Sequence, residues 1–150
     1  MFNVVSLLIL LAGFIIGLGA VTVIDLHGFM GRHSAYWTEA TTRTHKITKP
    51  LIWIGMFLCI FGGILWYQNS PLDWKIVVHI IFIPIMIMNG VFLSFSVSPF
   101  LLKREKQEKS SELLPLKWQQ RITISFIISF ISWWGNLFIF ILSIASKINS

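Results

Sequence analysis

Charged residues are scarce in this chain of 150 residues, and acidic ones are the scarcest. Asp and Glu together number six, Lys and Arg number twelve, and all four types make up 12% of the sequence. Apolar residues account for 55%, and the mean hydropathy is +0.77. A water-soluble domain of this size has too little interior to bury so much apolar surface. The composition therefore argues against a soluble domain and favours a single domain within a lipid bilayer.

Cysteine and the common catalytic signatures are also nearly or wholly missing. The single cysteine, Cys59, can form no disulfide within the chain, and its apolar surroundings indicate a small packed residue. The chain has no Walker loop, no Gly-x-Gly-x-x-Gly, no Cys-x-x-Cys and no Gly-x-Ser-x-Gly pattern. The sequence therefore gives no support to hydrolase or nucleotide chemistry, and it assigns no reaction.

Four long apolar segments predict the fold. About 20 apolar residues are needed to cross a hydrocarbon core roughly 30 Å thick. The segments are residues 4–24, 50–67, 76–102 and 122–145. No basic residue precedes the first segment, so it is predicted to be a retained span and not a signal peptide. We expect an all-α, four-helix transmembrane bundle, and short matches between its two halves suggest two repeated helical hairpins.

The distribution of basic residues predicts the orientation of these spans. Ten of the twelve Lys and Arg residues lie in the connections 25–49 and 103–121. Because positively charged loops stay in the cytoplasm, both connections are expected inside and both termini outside a plasma membrane or bacterial inner membrane. Basic residues that flank spans do not indicate nucleic acid binding. The expected partners are the lipid bilayer and either a second copy or another membrane protein.

Small and polar residues recur along one face of each span, at steps of three and four. In membranes such faces pack against other helices. The face of the first span, extended past residue 24, reaches His27, and that of the second begins at His45. Both imidazoles are therefore predicted to point inward at the cytoplasmic end. Asn89 and Asn136, at mid-membrane depth, are expected to form hydrogen bonds between helices.

Two groups of residues are candidates for chemistry. His79 is the one ionisable residue within the four apolar segments, and such a residue is either functional or hydrogen-bonded near the interface. The connection 25–49 contains His27, His33, His45 and two carboxylates, Asp25 and Glu39, which could bind a divalent metal or could simply pack at the interface. Arg43, among four threonines, could pair with an anionic head group or a propionate.

The segment that opens the third span resembles a known pattern. The stretch Trp74–Ile80 reads Trp-Lys-Ile-Val-Val-His-Ile, and Gly90 lies farther along the same span. This is similar to small four-span proteins of the grouping that includes CopD-type copper-resistance domains and the HemJ type of protoporphyrinogen oxidase. The resemblance implies that His79 binds b-type haem in a redox module. In HemJ the matching pattern opens the first span, so only haem binding, and not the oxidase reaction, carries over.

The positions of the histidines divide the haem hypothesis into two cases. Spans run in alternating directions, so His79 lies near the outer surface while His27 and His45 lie near the inner one. A haem on His79 would be five-coordinate or would take a partner such as Met86, and a bis-histidine haem would use His27 with His45. The alternative function is a non-enzymatic subunit or small transporter, whose polar first loop binds a partner, a lipid head group or a solute.

Overall fold

The prediction of an all-α bundle of four long helices is confirmed in the computed structural model, which describes residues 2–148. The helices are α1 (Phe2–Met30), α2 (Ala35–Tyr67), α3 (Trp74–Phe92), α4 (Ser98–Lys106) and α5 (Leu116–Ile148). A π-helical segment, Leu93–Val97, joins α3 to α4 without a break. The four resulting helical rods are each long and apolar enough to cross a membrane.

The helices are longer than the apolar segments that predicted them. Most of the connection 25–49 is helical, and its turn is confined to residues 31–34. Ser34 caps α2 by accepting a hydrogen bond from the Trp37 amide, and the Thr38 hydroxyl donates to the Gly31 carbonyl at 2.8 Å. His27 and His45 therefore lie on helices, as the prediction of inward-pointing side chains requires.

The two ends of the bundle differ in their connections. We call the end with turns 31–34 and 107–115 the basic end, and the end with turn 68–73 the hairpin end. At the hairpin end, Asp73 caps α3 by accepting a hydrogen bond from the Ile76 amide at 3.0 Å. That bond holds the pKa of the Asp73 carboxyl below its usual value, and nearby Lys75 acts in the same direction.

Glycines let α1 and α2 approach until their backbones touch. A Cβ atom on Gly13 would lie 2.7 Å from the Cys59 nitrogen, and one on Gly62 would lie 2.8 Å from the Leu10 nitrogen. Both distances are too short for real side-chain atoms. The small-residue faces predicted for these two spans are the faces that meet, because small residues permit the close van der Waals contact that holds helices together in lipid.

Polar side chains connect α3 to α5. The Asn89 amide donates to the Ser125 carbonyl at 3.1 Å, and the Ser125 hydroxyl donates back to Asn89 Oδ1 at 2.7 Å. The interior face of α5 buries five polar residues: Ser125, Ser129, Ser132, Asn136 and Ser143. Beside them Trp133 is buried against Gly17, while Trp134 faces outward. The hairpins α1–α2 and α3–α5 thus pack by different means, and the proposed internal repeat stays a prediction.

Candidate functional site

A cluster of hydrogen-bonded polar side chains surrounds His79, one to two turns inside α3 from the hairpin end. Its Nδ1 lies 2.6 Å from Asn136 Oδ1, and its Nε2 lies 3.0 Å from the Tyr67 hydroxyl. The Asn136 amide nitrogen donates to the Met86 sulfur at 2.9 Å. A thioether can only accept, so the amide nitrogen points at Met86 and Oδ1 points at His79.

This arrangement determines where the imidazole carries its hydrogen. Asn136 Oδ1 can only accept a hydrogen bond, so His79 Nδ1 must be the donor. Nε2 then has a lone pair and accepts from the Tyr67 hydroxyl. A histidine held by its Nδ1–H in this way presents Nε2 in the orientation that metal-binding histidines use. Nε2 is therefore the atom available to a ligand that displaces Tyr67.

A cleft between α2 and α3 leads to this histidine. These two helices follow each other in the chain, yet they barely touch. The cleft has a volume of about 320 Å³, which lies within the range of small-molecule sites. Phe14 and Phe140 line it from α1 and α5, and the outward-facing Ile64 and Ile80 stand at its rim. The cleft is almost entirely apolar except for a few groups: Tyr67, Gln68, His79 and Asn136.

His79 and Met86 are thus brought to one cavity, as the first haem case requires. The same amide, Asn136, bonds to both side chains. The sequence signal for Asn136 was its polarity at mid-membrane depth, and its predicted bond between helices is confirmed. The sequence assigns Tyr67 no role in a site, because nothing in it shows that α2 ends opposite His79.

The residues predicted at the basic end are separated from one another. His27 packs on the Trp37 ring, with ring centroids 5.1 Å apart. His45 is buried and lines a different, smaller cavity of about 50 Å³ together with Asp25 and Lys49. Arg43 is mostly exposed and pairs with Glu39 one turn earlier on α2. That ion pair explains Arg43 as a solvated surface residue.

The structure describes the side chains of residues 4–146. Among them, no group of three or more His, Cys, Asp or Glu side chains converges to hold a metal ion. His79 and Met86 at the hairpin end, and Asp25 and His45 at the basic end, form pairs only. Structural zinc sites need four protein ligands and catalytic ones three, so neither pair resembles a zinc centre.

Comparison with known proteins found no relative of this chain. No protein-family model matches the chain, and neither a curated protein nor a solved structure matches it. The resemblance of the Trp74–His79 pattern to the CopD and HemJ grouping therefore stays an interpretation of some twenty residues.

Proposed function

We propose that this chain is a membrane-embedded redox module that binds a lipid-soluble ligand of the quinone type in the cleft between α2 and α3. The observation that carries the proposal is the cluster of Tyr67, His79 and Asn136 at one end of an apolar cleft. Ligand sites commonly combine an apolar wall with a few polar groups that orient the ligand. The cleft opens between two helices, so a ligand could enter from the lipid.

The polar groups suit a carbonyl or hydroxyl oxygen. The Tyr67 hydroxyl can donate a hydrogen bond to a quinone carbonyl, and His79 Nε2 can accept one from a hydroxyl of the reduced form. These two groups share a hydrogen bond of 3.0 Å. A ligand oxygen that replaces this bond would find a donor in Tyr67 and an acceptor in His79. The aromatic rings of Phe14 and Phe140 give a flat ligand apolar surfaces to contact.

Haem b is the second candidate, favoured by the orientation of His79. Its Nε2 lone pair and the Nδ1–H bond to Asn136 match an axial ligand, and Met86 lines the same cleft. The remainder of the cleft fits haem poorly. Among the described residues, no Lys or Arg lines it to pair with two propionates. An uncharged quinone-type ligand needs no such cation.

A binding experiment with a matched histidine control tests the proposal. We expect a short-chain quinone to bind the purified protein in mild detergent, measured by quenching of tryptophan fluorescence. His79→Leu should weaken binding about tenfold or more, because the loss of one buried polar partner costs about 1–3 kcal/mol. His33→Leu should leave the affinity unchanged, since His33 is exposed in the turn at the basic end.

The visible spectrum of the same preparations separates the two candidates. A Soret band that is present in wild type and lost in His79→Leu would identify haem b, and not a quinone, as the ligand of the cleft. Loss of the band in His27→Ala and in His45→Ala would instead place the haem at the basic end. A protein that shows no Soret band and binds no quinone would refute the proposed function.

We also propose that the basic end faces the cytoplasm of a plasma membrane or bacterial inner membrane, with both termini outside. The support is the excess of Lys and Arg in residues 25–49 and 103–121. Cysteines placed in a Cys59→Ala background can test this in the full-length chain. Gln68→Cys should react with a membrane-impermeant maleimide in intact cells, whereas Lys109→Cys should react only after permeabilisation. The reverse labelling pattern would invert the proposed orientation.

A further inference from the structure

The small cavity at the basic end is lined by two side chains with buried polar atoms that the proposed function does not use. Asp25 from α1 and His45 from α2 both line it. His45 is only 9% exposed, and neither its Nε2 nor Asp25 Oδ2 has a hydrogen-bond partner among the described residues. Unsatisfied buried polar atoms are rare in folded proteins, and each one calls for an explanation such as a bound water molecule or a functional role.

Three helical rods besides α1 complete the walls of this cavity, and polar groups near His45 on these rods already have partners. The Ser94 carbonyl, in the π-helical segment, accepts from Lys49 Nζ at 3.4 Å, and the Ser94 hydroxyl accepts from Trp53 Nε1 at 3.0 Å. Ser125 of α5 is paired with Asn89. The neighbouring Ser129 hydroxyl hydrogen-bonds to the Asp25 carboxyl group. The atoms at this cavity that remain without a hydrogen-bond partner among the described residues are therefore Asp25 Oδ2 and His45 Nε2.

The size of the cavity limits what these two atoms can hold. Its volume of about 50 Å³ matches one or two water molecules, since a water molecule occupies about 30 Å³ in the liquid. A divalent metal ion would find two protein ligands and, on the same wall, the ammonium group of Lys49. Among the described residues, Lys49 is the only other charged group that lines the cavity, and α3, the π-helical segment and α5 contribute none.

We propose that Asp25 and His45 form a proton-binding site, in which one water molecule links Asp25 Oδ2 to His45 Nε2 and the pair exchanges a proton with the aqueous phase at the basic end. A carboxyl group and an imidazole can each hold or release one proton, and the water passes it from one to the other. Chains of Asp, Glu and His side chains form the proton relays of membrane pumps and transporters.

The π-helical segment gives this site a structural setting. Such segments are rare, and many of those that occur lie at functional sites. The widened turn changes which backbone groups are free to accept hydrogen bonds. Here it directs the Ser94 carbonyl at Lys49, which holds the ammonium group at the cavity wall. The site is independent of the quinone-type cleft, since no residue that lines one cavity lines the other.

Infrared spectroscopy of the full-length chain in nanodiscs can detect this proton directly. The chain has only two aspartates, Asp25 and Asp73, and Asp73 lies in the turn at the hairpin end. With carbon-13-labelled aspartate, we expect an isotope-shifted band of a protonated, buried carboxyl group that moves further on transfer to deuterated water. Asp25→Asn should remove the band, and His45→Gln should change the pH at which it appears. Glu39→Gln, a control on the exterior of α2, should leave it unchanged.

Several results would overturn the proposal. These are no isotope-shifted carboxyl band at any pH near neutrality, a band that does not respond to deuterated water, or a band that survives Asp25→Asn. The isotope label keeps the test decisive even if Asp25→Asn does not fold, since the wild-type band is assigned without it. Quinone affinity should be equal in wild type and in folded Asp25→Asn, so failure of this site and failure of the cleft are distinguishable.

Discussion

Gly55→Ala should be among the most damaging single-methyl additions in this protein, although alanine favours helix formation. A Cβ atom at this position would collide with the backbone of Gly17, and its third-nearest neighbour, the Gly13 carbonyl oxygen, lies only 2.9 Å away. Backbone atoms cannot rotate aside as a side chain can, so α1 and α2 would have to separate. We expect a loss of about 3 kcal/mol, the upper end of the usual range for overpacking.

Gly63→Ala is the matched control for that measurement. Gly63 lies on the same helix, and nothing is within 4 Å of the position that its Cβ atom would occupy. The usual gain of alanine over glycine in a helix interior, up to about 1 kcal/mol, should then appear without a steric cost. Thermal denaturation in detergent should therefore shift in opposite directions for the two variants. Equal melting temperatures would show that α1 and α2 do not meet through this face.

Gly17→Leu should be similarly severe, for a related reason. A Cβ atom on Gly17 would collide with the buried Trp133 ring and would lie 3.2 Å from the Gly55 Cα atom. A Cβ atom on Gly19, two residues later, would have no neighbour within 4 Å. Gly19→Leu should therefore be tolerated. This pair belongs to the same denaturation experiment and reports on α1 instead of α2.

Asn136→Leu should cause the second large effect, on ligand binding as well as on stability. Asn136 is the hydrogen-bond acceptor for His79 Nδ1, and its amide also bonds to Met86. Leucine has a similar size but accepts no hydrogen bond, so the imidazole loses the partner that fixes its orientation. An unsatisfied buried group costs about 1–3 kcal/mol, which corresponds to roughly a 5- to 150-fold loss of quinone affinity if that cost falls on the bound state.

Asn89→Leu separates the binding effect from the structural one. Asn89 is buried and joins α3 to α5 through Ser125, as Asn136 does through His79, but it does not line the cleft. Both variants should lower the melting temperature, because each removes hydrogen bonds between the same two helices. Only Asn136→Leu should lower quinone affinity. Equal affinities in the two variants would show that Asn136 supports the fold alone.

The four spans could be predicted from the sequence because the bilayer imposes a simple local requirement. About 20 apolar residues are needed to cross it, and the backbone must satisfy its own hydrogen bonds, which a helix does without help from distant residues. The packing faces followed from the same logic, since spacing along one helix determines which residues share a face. Spacing therefore identifies contact residues such as Gly13, Gly17 and Gly55, although it does not identify the residues that they contact.

The ends of the helices could be predicted less well from the sequence. Residues 35–49 are polar, yet they form the first turns of α2, because a helix can extend beyond the membrane wherever Ser34 caps it and Thr38 anchors its start. The π-helical segment had no signal at all. Its one-residue change of register arises where α3 and α4 must both pack against neighbours, which local propensity does not describe.

The sequence by itself thus determined the class of the protein, its spans and the faces along which they pack, because each depends on residues close together in the chain. Only the tertiary structure decided which polar groups meet. Tyr67, His79 and Asn136 come from three helices and up to 69 positions apart, and they converge because α3 packs on α5 while separating from α2. Asp25 and His45 came from one polar stretch that offered several pairings. In the folded chain Asp25 and His45 line one cavity, while His27 packs on Trp37, and residue spacing alone does not reveal this division.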